Sequence, residues 1–168
     1  MEPLRARIPS QALPRVQGGS RPGPRPAFRV SEEDARIGVH LPKLHKRPPG
    51  RTSLAAVVRV LRNDGLVRSA TGSHQQVVVS IEKILGAGDE SRVNSKKNVT
   101  VFMRLADDRW SDGLRQAISL KPGDDFMVSG EFIPKDPKNG QHTAVLHMTH
   151  AIAEHSFGAV VVNGRKFE

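Results

Sequence analysis

Apolar and polar positions alternate most regularly from Lys121 to Phe132, in KPGDDFMVSGEF. Pro122 fixes φ and Gly123 relieves a tight turn sterically. Beyond the turn, Phe126, Val128, Gly130 and Phe132 fall on one side, and Asp125, Met127, Ser129 and Glu131 on the other. This is the period of a strand. Gly130 at its middle marks a bulge or a barrel bend. Upstream, Leu54 to Leu61 (LAAVVRVL) reads as a strand interrupted by Arg59, with Asn63-Asp64-Gly65 as a turn. A second turn at Thr71-Gly72-Ser73 leads into the valine-rich strand Gln75 to Lys83. Residues 84–98 read as a loop carrying Arg92, Lys96 and Lys97, and Val99 to Ala106 alternates again. From Trp110 to Leu120 the spacing of Leu114, Ala117 and Ile118 predicts a helix, capped by Ser111 or Asp112. Ile133 to Gln141 is a hairpin tip turning at Asn139-Gly140, and His142 to Ala153 is a closing strand. Phe157 to Asn163 adds a short extra strand.

Five strands with one helix between the third and fourth make an all-β fold, the five-stranded Greek-key barrel called the OB-fold. The pattern assigns this domain to residues 51–155, with the helix and Trp110 plugging its lower end. Residues 156–168 form a C-terminal extension.

The first 50 residues follow other rules. They hold nine of the twelve prolines, and the first 30 carry Arg5, Arg7, Arg15, Arg21, Arg25 and Arg29 against one acid, Glu2. Such a segment buries too little apolar surface to fold alone. Two functional readings stay open beside a plain irregular tail: a cleaved mitochondrial transit peptide, or a basic arm lying along RNA. Ser31-Glu32-Glu33-Asp34 carries the signature of a capped helical turn. A formal net charge of +9 and a pI near 10.6 favour a polyanionic partner. No apolar run approaches the ~18 residues of a membrane span. The absence of cysteine excludes disulfides and thiolate chemistry.

The order LAAVVRVLRNDG, QQVVVSIEK, NVTVFMRLADD, helix, LKPGDDFMVSGEF and NGQHTAVLHMTHAIAEH resembles the bacterial and mitochondrial single-stranded DNA-binding protein family over residues 53–155. Lys121-Pro122-Gly123, Gly130-Glu131-Phe132 and Asn139-Gly140 occupy the places of that family's turn, strand end and hairpin tip. HSFGAVVVNG is similar, more briefly, to the segment following the barrel in kinetoplastid mitochondrial RNA-editing proteins. The resemblance implies an OB-fold that binds single-stranded nucleic acid. Family members stack bases on several aromatics, whereas QQVVVSIEK and IPKDPKNGQ hold none and Phe102 alone offers a ring on the third strand.

The residues expected to meet nucleic acid are Arg59, Arg68, Phe102, Arg104, Lys135 and Lys138, with Arg92, Lys96 and Lys97 of the loop and the six tail arginines. Cations tracking phosphates beside one π-face suit sequence-tolerant binding. Ordinary solvated charge is the competing reading, and core packing competes for Phe102. His142, His147, His150 and His155 cluster late, but His147 and His150 are three apart on a strand and fall on opposite faces. Neither a metal site nor a catalytic constellation is recognisable, and no cofactor or small-molecule substrate is expected. The leading expectation is a non-catalytic RNA-binding subunit of a ribonucleoprotein in the mitochondrial matrix, contacting other protein subunits. The alternatives are a mitochondrial single-stranded DNA-binding protein in replication and an OB-fold protein–protein adaptor.

Overall fold

The computed structural model describes residues 23–42, 50–106, 113–147, 149 and 158–167. Seven strands are placed: β1 (Thr52–Ser69), β2 (Gly72–Ala87), β3 (Val99–Arg104), β4 (Asp125–Ile133), β5 (Val145–His147), β6 (Ala159–Val162) and β7 (Arg165–Phe167). β1 pairs antiparallel with β2, and β2 with β3. β3 runs parallel to β5, β5 antiparallel to β4, and β4 returns antiparallel to β1. The circuit β1-β2-β3-β5-β4-β1 closes a five-stranded, OB-fold-like barrel. β6 and β7 extend it from the free half of the β4 edge, joined by an Asn163-Gly164 turn in which both residues have positive φ.

Strand parity builds the core. Leu54, Ala56, Val58 and Val60 of β1 point inward, as do Val77 and Val79 of β2, Val99, Val101 and Met103 of β3, and Phe126, Val128 and Phe132 of β4. Gly130 shares that inward parity, where β4 and β5 approach closely. A Cβ there would lie 2.3 Å from the carbonyl oxygen of His147, so the bend expected from the sequence is a crossing at which β4 meets β5.

Four sequence expectations are corrected. Residues 113–120 of the expected helix are not helical; the one α-helix among the described residues is α1 (Glu32–Ile37). Leu114 instead joins the edge of β3, donating its N–H to the Arg104 carbonyl at 2.8 Å and accepting from the Ala106 N–H at 2.9 Å. Downstream, the buried side chain of Gln75 both donates to and accepts from the Ile118 backbone at 2.8 Å, fixing an irregular chain that lacks helical bonds. Trp110 lies outside the described residues. Asn63-Asp64-Gly65 is no turn but a bulge within β1, because the hairpin reverses only at Ala70-Thr71, forming a long β1–β2 arm that β3 flanks along β2 from His74 to Val79. The expected loop 84–98 is shorter than foreseen, since β2 runs on to Ala87 before a 3-10 turn at Glu90–Arg92. Of the closing strand, residues 145–147 are strand; residues 148 and 150–153 lie outside the described part.

The N-terminal segment 23–42 is tied to the barrel. Asp124, fully buried, accepts two bonds from the Arg25 guanidinium at 2.6 and 3.0 Å and one each from the Phe28 and Lys121 N–H groups at 2.8 Å. Phe28 packs on the core, and its carbonyl accepts from the Asp125 N–H at 3.0 Å. Ser31 and Asp34 form the capping box that the sequence indicates, and the buried Asp34 also takes the Gly164 N–H at 2.7 Å.

Candidate nucleic-acid interface

Directly paired residues in a sheet share a face. Because Gln75, Val77, Val101 and Met103 point into the barrel, His74, Gln76, Phe102 and Arg104 point out. Gln76 lies opposite Phe102, and His74 opposite Arg104. The rings of His74 and Phe102 meet edge to face with centroids 6.2 Å apart. Phe102 is half-buried: its backbone is held by the β2 ladder and by a bond from the Thr149 hydroxyl to its carbonyl at 3.1 Å. Arg104 bonds the Thr71 carbonyl at 2.9 Å, linking this face to the tip of the arm. Farther along, Val78 and Thr100 are both buried, which confines the accessible part of the face to the half nearest the arm.

The neighbouring bulge of β1 completes it. Arg62 pairs in register with Val78 and Gly65 with Gln76. Asp64 accepts a bond from Gln76 at 3.0 Å and a bidentate pair from Arg62. The Arg62 hydrogen bonds hold the Asp64 carboxyl below the usual carboxylate range despite partial desolvation. A planar ring, an imidazole, an amide, the Arg104 guanidinium and the Arg62–Asp64 ion pair therefore share one side of the sheet.

The expected residues divide into separate groups. Phe102 and Arg104 lie on this face. Arg68 pairs with Ser73, one residue out of step with the Val67–His74 pair, and so belongs to the opposite side of the arm. Arg59 is engaged elsewhere: it is bidentate to Asp125 at 2.8 and 3.2 Å and 3.7 Å from Glu82. Arg92, Lys96, Lys97, Lys135 and Lys138 gather at the far end of the barrel. There the Asn94 side chain donates to the Lys135 carbonyl at 2.7 Å and accepts from its N–H at 3.1 Å. That amide joins the β2–β3 loop to the β4–β5 hairpin, and Arg92 turns back to Asp89 at 2.8 Å. Of the tail arginines, Arg25 and Arg29 bind Asp124, Asp125 and the Gly123 carbonyl. Arg5, Arg7, Arg15 and Arg21 lie outside the described residues.

No family model, curated protein or solved structure matches this chain.

Two of the late histidines are described, and they do different things. His142 is exposed, whereas His147 bonds the buried Glu131 across the β4–β5 pair. Burial pushes the Glu131 carboxyl up, but His147 and Arg51 outweigh it and hold the group below its ordinary range. His150 and His155 lie outside the described residues. Sequence reasoning missed His74, Gln76 and Arg62. Their parity was readable once the hairpin had been placed at Ala70-Thr71, but the Asn63-Asp64-Gly65 signal pointed to an earlier reversal.

Proposed function

We propose that this chain is a non-catalytic OB-barrel protein that binds single-stranded RNA across the β2–β3 face, as a subunit of a mitochondrial ribonucleoprotein assembly. The observation that carries the reading is the Phe102 ring on that face, with His74 at its edge, Gln76 opposite and Arg104 beside the arm. A base stacked on such a ring gains on the order of 1–3 kcal/mol, and guanidiniums alongside neutralise phosphates. One ring where a strand coater needs several makes a weak binder of free strands. Placement by an assembly supplies what stacking does not. The mitochondrial assignment rests on the arginine-rich, acid-poor start of the sequence.

Two alternatives keep a specific basis. The resemblance to single-stranded DNA-binding proteins favours DNA as the strand. An adaptor role draws on the arm, where Leu61, Leu66 and Val67 are 42%, 61% and 36% exposed. Competition binding on the full chain separates them. The RNA reading expects unstructured RNA to displace a labelled RNA at lower concentration than DNA of the same sequence, with duplex weakest. Preference for DNA moves the function to DNA binding, and no displacement by any nucleic acid favours the adaptor.

A further inference from the structure

The barrel closes unevenly along its β3–β4 seam, and the uneven part carries charge. β5 pairs with β3 at Thr100 and Val101 alone. Farther along, the β3 edge is taken by Leu114, while the facing half of β4 is taken by β6 and then β7. Between the 113–116 segment and β7 lies an open cleft of about 450 Å³ lined by Gly113, Leu114, Arg115, Gln116, Arg165, Lys166 and Phe167. Three of these are cations, one is an amide, one is an aromatic ring, and none is acidic. The Arg165 guanidinium lies 5.3 Å from the Phe167 ring centroid, which keeps it over the cleft wall.

Its position relative to the β2–β3 face is fixed by the backbone. Gly113 has φ +114, and a Cβ on it would lie 2.6 Å from the Arg104 carbonyl oxygen. Residue 113 is thereby pressed against the residue that borders Phe102, and Arg115 follows two positions on. The 113–116 wall of the cleft thus abuts the end of β3, where Arg104 lies two positions beyond Phe102.

We propose that the seam cleft is a phosphate-binding subsite, in which Arg115 and Arg165 hold backbone phosphates of the single strand whose base stacks on Phe102. Planar guanidiniums suit bidentate phosphate contacts. The Gln116 amide adds a donor of the same sense. This inference rests on the single-strand reading above and adds to it the exit path of the strand.

The test is the salt dependence of binding of an unstructured 15-mer RNA to the full chain, comparing the unaltered protein with Arg115→Ala/Arg165→Ala and with Arg115→Lys/Arg165→Lys. Each phosphate neutralised contributes about 0.7 to the slope of log K against log salt for single strands. The alanine pair is expected to flatten the slope by about 1.4, the lysine pair to restore most of it, and all three proteins to melt at similar temperatures. An unchanged slope in the alanine pair, while the unaltered chain binds, overturns the subsite and leaves the β2–β3 reading standing. A flattened slope that lysine does not restore also overturns it, because it shows a structural role. Failure of the unaltered chain to bind overturns both.

Discussion

Gly130 shows how one residue can fix closure. Its missing side chain admits the His147 carbonyl at a distance no Cβ tolerates, and the obstructing atom is backbone. Gly130→Ala must push β5 off β4, so we expect a loss on the order of 1–3 kcal/mol, the usual cost of overpacking. The shift of the urea midpoint measures it; an unchanged midpoint would place the crossing elsewhere. Asp124 works by charge. Burial pushes its carboxyl up, yet bonds from Arg25 and from the Lys121 and Phe28 N–H groups outweigh this and hold it below the ordinary range. Glu131 is depressed by the same kind of balance. A carboxyl depressed in the folded state binds fewer protons there than in the unfolded chain, so stability rises with pH across the interval between the two values. The contribution is therefore present above about pH 4, the ordinary carboxylate value, and is lost as pH falls below it. Urea midpoints from pH 7 to pH 3 should fall more steeply for the unaltered protein than for Asp124→Asn. Parallel curves would contradict this role for the carboxylate.

Segments 23–42 and 113–120 replace the expected helix at the lower end of the barrel. Phe28, Leu114, Ile118 and Leu120 all pack on the core cluster, and two side-chain amides hold the second segment: Gln75 at Ile118, and Asn63, which donates to the Leu120 carbonyl at 2.9 Å. Gln75→Leu should cost about 1–3 kcal/mol, since it strands the Ile118 N–H at a part-buried site, while the Ile118 carbonyl keeps the Leu120 N–H at 2.8 Å. Phe28→Ala should cost about 1.5–2.5 kcal/mol, near half the figure for a fully buried ring. Both are read by chemical denaturation of the full chain, and a value near zero for Phe28 would mean the segment is only loosely attached. The strands were legible because period-2 alternation survives wherever one face is buried. Their ends were not. Asn63-Asp64-Gly65 has turn chemistry, but cross-strand pairing with Val77 and Gln76 absorbs it as a bulge. Leu114, Ala117 and Ile118 have helical spacing, but Gly113 and the free edge of β3 draw Leu114 into a strand contact. Neither competing partner lies within the window that local periodicity samples. Ser31 and Asp34 were readable because a capping box is complete within four residues.

Across the whole molecule, net charge is a poor guide to where a polyanion meets the protein. Arg25, Arg29 and Arg59 are bound to Asp124 and Asp125, and so help hold the N-terminal segment and β1 to the start of β4. The candidate face was legible in part. Phe102 and Arg104 followed from alternation alone, whereas Arg62, His74 and Gln76 needed the register of the β1–β2 arm, and the seam cations needed β7. The account's central claim is that the β2–β3 face, centred on Phe102, meets single-stranded nucleic acid. Its most direct test is fluorescence titration of the full chain with an unstructured RNA oligonucleotide at physiological salt, comparing the unaltered protein, Phe102→Ala and Lys138→Ala. Truncating a single half-buried platform should weaken binding about fivefold to tenfold, roughly the 1–1.4 kcal/mol at the low end of the stacking range. Lys138, at the distant hairpin, should change it less than twofold, as expected of one exposed lysine. Equal affinities for the unaltered protein and Phe102→Ala, with Lys138→Ala the weaker, would contradict the claim and move the contact to the far end of the barrel.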